Sequence, residues 1–131
     1  MASRYWVGGT ATWNATAGTK WSTTSGGAGG SATPLASDDV FFDAASGVVT
    51  VTMASTPVCR SLNCTGFTGT LTDTGNSGID IGDGTRGDIT LVSGMTFSPA
   101  GSITLASTAT GNLITSGGKS IATLNVGANN A

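Results

Sequence analysis

Between Tyr5 and Asp43 the chain concentrates nearly everything large that it owns. All three tryptophans (Trp6, Trp13, Trp21), the only tyrosine (Tyr5) and two of the four phenylalanines (Phe41, Phe42) lie there. Glycines interleave them: Gly8-Gly9 after the first strand candidate, then Gly26-Gly27-Ala28-Gly29-Gly30. From Val48 onward the sequence is mostly Thr, Ser, Gly and Ala with isolated Val, Ile and Leu. A chain built this way has large anchors at one end and small ones along the rest. A chain this poor in large apolar residues needs its tryptophans as core or interface.

Thr, Val and Ile with 21 glycines predict short strands and many turns. With 131 residues there is room for one domain. Charged residues make up 9% and the net charge is −2, against the high net charge and low hydrophobicity of disordered chains. The expected class is all-β. Two segments are expected, an N-terminal anchoring module over 1–43 and β-solenoid rungs over 44–131.

Taken in order, Arg4 to Val7, Thr10 to Trp13 and Lys20 to Ser22 are short extended pieces, with a turn from Asn14 to Gly18. Trp13 and Trp21 fit two strands joined by a loop. Residues 24–37 form a loop by composition, read as ordered because indoles and the Phe41-Phe42 pair can clamp it. Asp38 and Asp39 would point to opposite faces of a strand, which suits turn hydrogen bonding and not a catalytic pair. Val49, Val51 and Met53 alternate with Thr50 and Thr52, a half-buried strand. Ile89-Thr90-Leu91 recurs as Ile103-Thr104-Leu105, and Leu124 follows nineteen residues after Leu105. That loose self-similarity predicts a solenoid with rungs of roughly twenty residues, apolar side chains inward and Thr/Ser outward. A β-sandwich is the competing fold.

Trp6-x-Gly8-Gly9, Trp13, Trp21-Ser22, the glycine-rich loop, Pro34 and Asp38-Asp39-Val40-Phe41-Phe42-Asp43 resemble the opening module of two kinds of β-solenoid protein. One is a set of tailed-phage virion proteins, fibre-like or attached to capsid or tail. The other is bacterial surface proteins of the autotransporter-associated β-repeat type. The resemblance implies a structural virion protein anchored to capsid or tail by its N-terminal module, alternatively a cell-surface adhesin that binds glycans. Met1 to Arg4 lacks the apolar stretch of a signal peptide, which favours the virion reading. Tyr5, Trp6, Trp13, Trp21, Phe41 and Phe42 are the expected anchoring and interface residues. Small core side chains leave a thin margin over backbone entropy, which predicts a homo-oligomer; the resemblance to phage fibres implies a trimer. The Ala128 to Ala131 end shows no capping element, and open strand edges also favour association.

Other motifs are weaker. No His and no Glu are present, so the commonest general base and metal ligand are missing and no enzyme is expected. No cofactor and no metal are expected either. The five basic residues form no stripe, which argues against nucleic acid, and no polybasic segment or long apolar run suggests a membrane. Cys59 and Cys64 could face one another across a turn or be two small buried hydrophobes. Asp80, Asp83 and Asp88 among glycines suggest calcium by chemistry, yet the spacing fits no known loop; they read as turn carboxylates. Arg86-Gly87-Asp88 matches an integrin-type tripeptide by letters alone. Asn14-Ala15-Thr16 and Asn63-Cys64-Thr65 match the glycosylation acceptor pattern. Tyr5 and the tryptophans could form a sugar platform, though a chain so poor in large residues needs its indoles as core. Thr-x-Thr occurs at Thr10/Thr12, Thr50/Thr52, Thr70/Thr72 and Thr108/Thr110. Regular ranks of Thr would suggest an ice-binding face; the uneven spacing points instead to ordinary outward strand threonines.

Overall fold

The computed structural model describes residues 1–14 and 18–127. The chain winds into a parallel β-solenoid. Its first coil holds β1 (Ser3–Trp6) and β2 (Ala11–Trp13), followed by β3 (Trp21–Ser22). The second coil holds β4 (Asp39–Phe41), β5 (Thr50–Met53) and β6 (Val58–Cys59). The third holds β7 (Ser61–Asn63), β8 (Thr70–Asp73) and β9 (Ile79–Gly84), and the fourth β10 (Asp88–Thr90), β11 (Thr96–Ser98) and β12 (Ile103–Ser107). A partial last coil contributes β13 (Ile114–Thr115) and β14 (Leu124–Gly127). Among the described residues the only helical element is a 3-10 turn at Ala44–Ser46.

Corresponding strands stack into three sheets. The first runs β13-β10-β7-β4-β1-β3, the second β11-β8-β5-β2 and the third β14-β12-β9-β6. All pairs are parallel except β1 with β3. A sandwich would need antiparallel neighbours, so the ladders decide for the solenoid.

Period-2 alternation explains the inside. Val40, Leu62 and Ile89 stack in one column of the first sheet, Val51, Leu71 and Phe97 in the second, and Cys59, Ile81 and Leu105 in the third. All nine are buried and belong to one core cluster that also takes in Trp6, Trp13 and Trp21. Strands before and after residue 43 thus lie side by side in the first and second sheets and contribute to one core. Fully burying each such side chain is worth about 1.5–3 kcal/mol. A one-residue slip would turn a whole column outward, so the pattern pins the register.

The repeat visible in the sequence is not the structural one. Ile89-Thr90-Leu91 begins in the first sheet, whereas Ile103-Thr104-Leu105 lies in the third, on another side of the same coil. The stacked equivalents are Ile79-Asp80-Ile81, Ile103-Thr104-Leu105 and Leu124-Asn125-Val126. Coil length varies because the turns vary: Val40, Leu62, Ile89 and Ile114 are separated by 22, 27 and 25 residues. The corners are tight. At Gly78 (φ 61°) an added Cβ would sit 2.0 Å from the Ser102 carbonyl oxygen, so only glycine fits. Beside it the Asp73 carboxylate accepts from the N–H groups of Ala100, Gly78 and Gly101 at 2.7–2.8 Å, tying third coil to fourth.

Cys59 and Cys64 are both buried free thiols, the small-hydrophobe alternative. Burial pushes the Cys64 thiol up to about 12 and raises Cys59 as well, leaving neither reactive as thiolate. The sequence turn at Asn14 to Gly18, the sequon at Asn14-Ala15-Thr16 and the Ala128 to Ala131 end fall wholly or partly outside the described residues.

Candidate functional site at the aromatic end

The antiparallel strand β3 closes the N-terminal edge of the first sheet, pairing Trp6 with Trp21. Trp13 arrives from β2 in the second sheet, and Trp13 and Trp21 therefore sit on strands of different sheets that do not pair. The three indoles meet over the mouth of the solenoid. Trp6 and Trp21 are edge-to-face with centroids 5.0 Å apart and planes at 85°; Trp13 and Trp21 stand at 5.2 Å and 70°. Phe42 lies beneath all three at 5.8–6.0 Å and passes the stack on to Phe67 at 5.3 Å. Edge-to-face pairs put the positive ring edge on the negative face of the neighbour and add to the area term.

Polar atoms around the plug are satisfied locally. Trp6 Nε1 donates to the Gly9 carbonyl at 2.9 Å, and Ser46 Oγ donates to the buried Trp6 carbonyl at 2.9 Å. Lys20 Nζ donates to the Thr12 carbonyl at 2.6 Å. The glycine-rich loop folds back on β3, with Ser31 N–H donating to the Trp21 carbonyl at 3.0 Å. A Cβ on Gly29 would come within 1.9 Å of the Thr19 carbonyl oxygen, which is why that stretch must be glycine to lie there. The β3 backbone thus holds the loop through the Ser31 N–H.

The six expected anchoring residues divide. Trp6, Trp13, Trp21 and Phe42 are at most 1% exposed and offer no ring face to a ligand. A sugar platform made of the three indoles is therefore ruled out by their burial. Tyr5 and Phe41 instead point outward from β1 and β4, half-buried and stacked on each other at 4.7 Å and 15°. The adjacent aspartates also divide as their strand position requires. Asp38 is buried, accepts from Ala2 N–H at 2.9 Å and Leu35 N–H at 3.2 Å, and lies 3.7 Å from Arg4 Nε. Asp39 faces outward and takes both the Arg60 guanidinium and the Ser61 hydroxyl at 2.5 Å. That hydrogen bond raises the Arg60 pKa above its ordinary value.

Beside the plug opens a cleft of about 230 Å³, lined by Trp13, Pro34, Pro57, Val58 and Thr33 among others. It lies between the loop before β4 and the turn joining β5 to β6. Two features set it apart. Thr33 Oγ1 is buried without a hydrogen-bond partner among the described residues. Ser55 and Thr56 at the rim hold left-handed backbone, φ 58° and 46°, which non-glycine residues adopt at a cost and which collects at functional sites. Pro34 was visible in the sequence as a loop residue; Thr33, Pro57 and the strained pair were not singled out. A proline on each of two segments is the signal that was there to find.

A second, more polar groove of about 430 Å³ lies on the outer face of the first sheet, with Asn63, Arg86, Asp88 and Leu113 in its lining. Arg86 pairs with Asp88 at 3.3 Å, so the Arg-Gly-Asp tripeptide is closed on itself. The nearby Asp83 carboxyl is held down at about 2 by the Thr85 hydroxyl and by the Arg86 and Thr85 N–H groups. Among the described residues no three His, Cys, Asp or Glu side chains cluster as a metal site would, and no helix is long and apolar enough to cross a membrane. Comparison of the chain with protein-family models, curated proteins and solved structures returns no match.

Proposed function

We propose that this chain is a non-catalytic structural component of a tailed-phage virion, of fibre or decoration type, that docks on capsid or tail protein through its aromatic end. The cleft beside Trp13 carries the reading. It is apolar, it holds an unpartnered hydroxyl, and it borders the stacked indoles. Such a recess suits one apolar side chain of a neighbouring virion protein carrying a hydrogen-bonding atom for Thr33. The role of Trp6, Trp13, Trp21 and Phe42 in that docking is to hold the cleft, since their own faces are covered. Val58→Arg, which fills the cleft with a charge, should abolish incorporation while leaving the fold intact. Mass spectrometry of purified virions from the phage encoding the chain tests this. Wild-type protein should be found at fixed stoichiometry and the variant should be missing; wild type absent from the particle would refute the reading.

Homo-oligomerisation, with a trimer first, belongs to the same proposal. Leu113, Ile114 and Val126 at the far end are exposed by 60%, 40% and 71%, an apolar surface suited to subunit contact. With so few charges, assembly should survive salt up to about 1 M, which screens ionic contacts strongly. Sedimentation at low and high salt checks it, and a monomer in both would remove this part.

The half-buried Tyr5–Phe41 stack near a groove carrying Asn63, Arg86 and Asp88 favours a second reading, a bacterial surface adhesin binding glycans. Loss of binding on a glycan array by Tyr5→Ala, with Val58→Arg silent, would select it over the first.

A further inference from the structure

The second sheet carries a surface unlike the other two. Its strands β2, β5, β8 and β11 turn Val51, Leu71 and Phe97 inward. Outward they turn only hydroxyls. Thr12, Thr52, Thr72 and Ser98 form one column. Thr50, Thr70 and Thr96 form a second, continued by Thr10, whose Oγ1 accepts the Thr50 N–H at 3.2 Å. The threonine pairs that look uneven along the chain thus fall into two parallel ranks, because the variable turns lie at the corners and not in this sheet. Thr108 and Thr110 stand apart from them, after β12, and Thr96 and Ser98 take the fourth place.

The geometry is a lattice. Neighbouring strands are about 4.8 Å apart and alternate residues about 6.6 Å apart. The oxygen repeats of hexagonal ice lie close to both spacings. The ladders of this sheet show no register shift, whereas the third sheet shifts between Leu105 and Ser107. β-branched threonine is stiff at χ1, so the hydroxyls and methyls hold their positions. No charged residue stands in either rank. The outer face of the first sheet, by contrast, carries Asp39 and Asp88, and that of the third carries Asp80.

Three hydroxyls outside this sheet are taken up: Ser107 Oγ donates to the Thr85 carbonyl at 2.7 Å, Thr108 Oγ1 to the Gly84 carbonyl at 2.8 Å, and Ser77 Oγ to the Thr74 carbonyl at 2.6 Å. Within the ranks, Thr72 Oγ1 donates to the Ser98 carbonyl at 3.2 Å and Thr10 accepts as above. The hydroxyls of Thr12, Thr50, Thr52, Thr70, Thr96 and Ser98 have no protein partner among the described residues. They present a regular set of free donors and acceptors to water.

We propose that the outer face of the second sheet binds ice, ordering a layer of water over the two ranks that joins the crystal surface. This activity is separate from docking at the aromatic end and uses none of the cleft residues. The probe is ice itself. Purified chain at millimolar concentration should facet growing ice crystals and hold a gap between melting and freezing. Thr52→Tyr and Thr70→Tyr, at the centre of the lattice, should reduce that gap to the level of albumin at equal concentration. Thr104→Tyr, on the outer face of the third sheet, should keep it. Far-UV circular dichroism and the thermal midpoint should be unchanged in all three, since the positions are outward. A wild-type protein that neither shapes crystals nor exceeds albumin would overturn the proposal, as would a Thr52→Tyr, Thr70→Tyr chain that is folded and retains full activity.

Discussion

The first coil and the last described coil of the solenoid cover their core columns to very different extents. At the N-terminal end, β3 turns antiparallel across the sheet edge and Trp6, Trp13, Trp21 and Phe42 fill the mouth, all at most 1% exposed. In the last described coil the column residues are exposed. Ile114 stacks beneath Ile89 yet is 40% exposed, and Val126 stacks beneath Leu105 yet is 71% exposed. The same alternation runs through both coils, so what differs is how far the column residues are covered. Four large aromatic side chains fill the N-terminal mouth, whereas Leu113, Ile114, Leu124 and Val126 of the last described coil are exposed. Stability should therefore be graded along the axis, highest where the aromatics pack.

Substitutions at the two ends give the sharpest contrast. Trp13→Ala should cost about 3–5 kcal/mol, as for other large core aromatics, and Val126→Ala should stay within about 0.5 kcal/mol. Urea unfolding of both variants checks the pair, and similar losses at the two sites would break the comparison. Between the ends, the corner between third and fourth coils should be intermediate. Asp73→Ala removes a carboxylate that accepts three N–H groups and should cost about 2–3 kcal/mol, read as a lowered denaturation midpoint.

The smallest expected effect is the pH response. Burial alone would raise the Asp73 pKa, but the N–H groups of Ala100, Gly78 and Gly101 outweigh it and lower the pKa; Asp83 is held at about 2. Folded-state values below the ordinary 3.8 mean stability that is complete above that pH and is lost as pH falls toward 2. With no His and no Glu in the sequence, the thermal midpoint should be level from about pH 5.5 to 8. Asp73→Asn should flatten the acid limb. Asp83 is exposed, so Asp83→Asn should change it less.

How much of this was legible depends on what each residue type signals. The Val49, Val51, Met53 alternation and the Thr-outward pattern follow from the period of a strand and needed no structure. The packing of the indoles was legible from scarcity, since nothing else was large enough to fill a core. The coil equivalences were not legible, because Ile-Thr-Leu marks any strand with one buried face and recurs on two sides of one coil. Turn lengths between 40 and 114 then hid the true repeat. The cleft was hidden for a different reason. Thr33, Ser55, Thr56 and Pro57 come from two loops, and loop-to-loop proximity has no periodic signature. The threonine lattice lay between these cases: three of its pairs stood out as Thr-x-Thr, but Thr96 and Ser98 did not, and the alignment depends on inter-strand register, which only the ladders supply.

Native-state hydrogen exchange along the first sheet tests the graded solenoid most directly, because one ladder samples every coil. The amides of Phe42 and Cys64, which donate to Asn63 and Thr90 across the middle of that sheet, should exchange only through global unfolding. Those of Ile89 and Leu91, bonded to Leu113 and Thr115 of the last coil, should exchange through local opening with a clearly lower free energy. Equal protection from the aromatic end to the last coil, or earliest exchange at β1 and β3, would contradict the account.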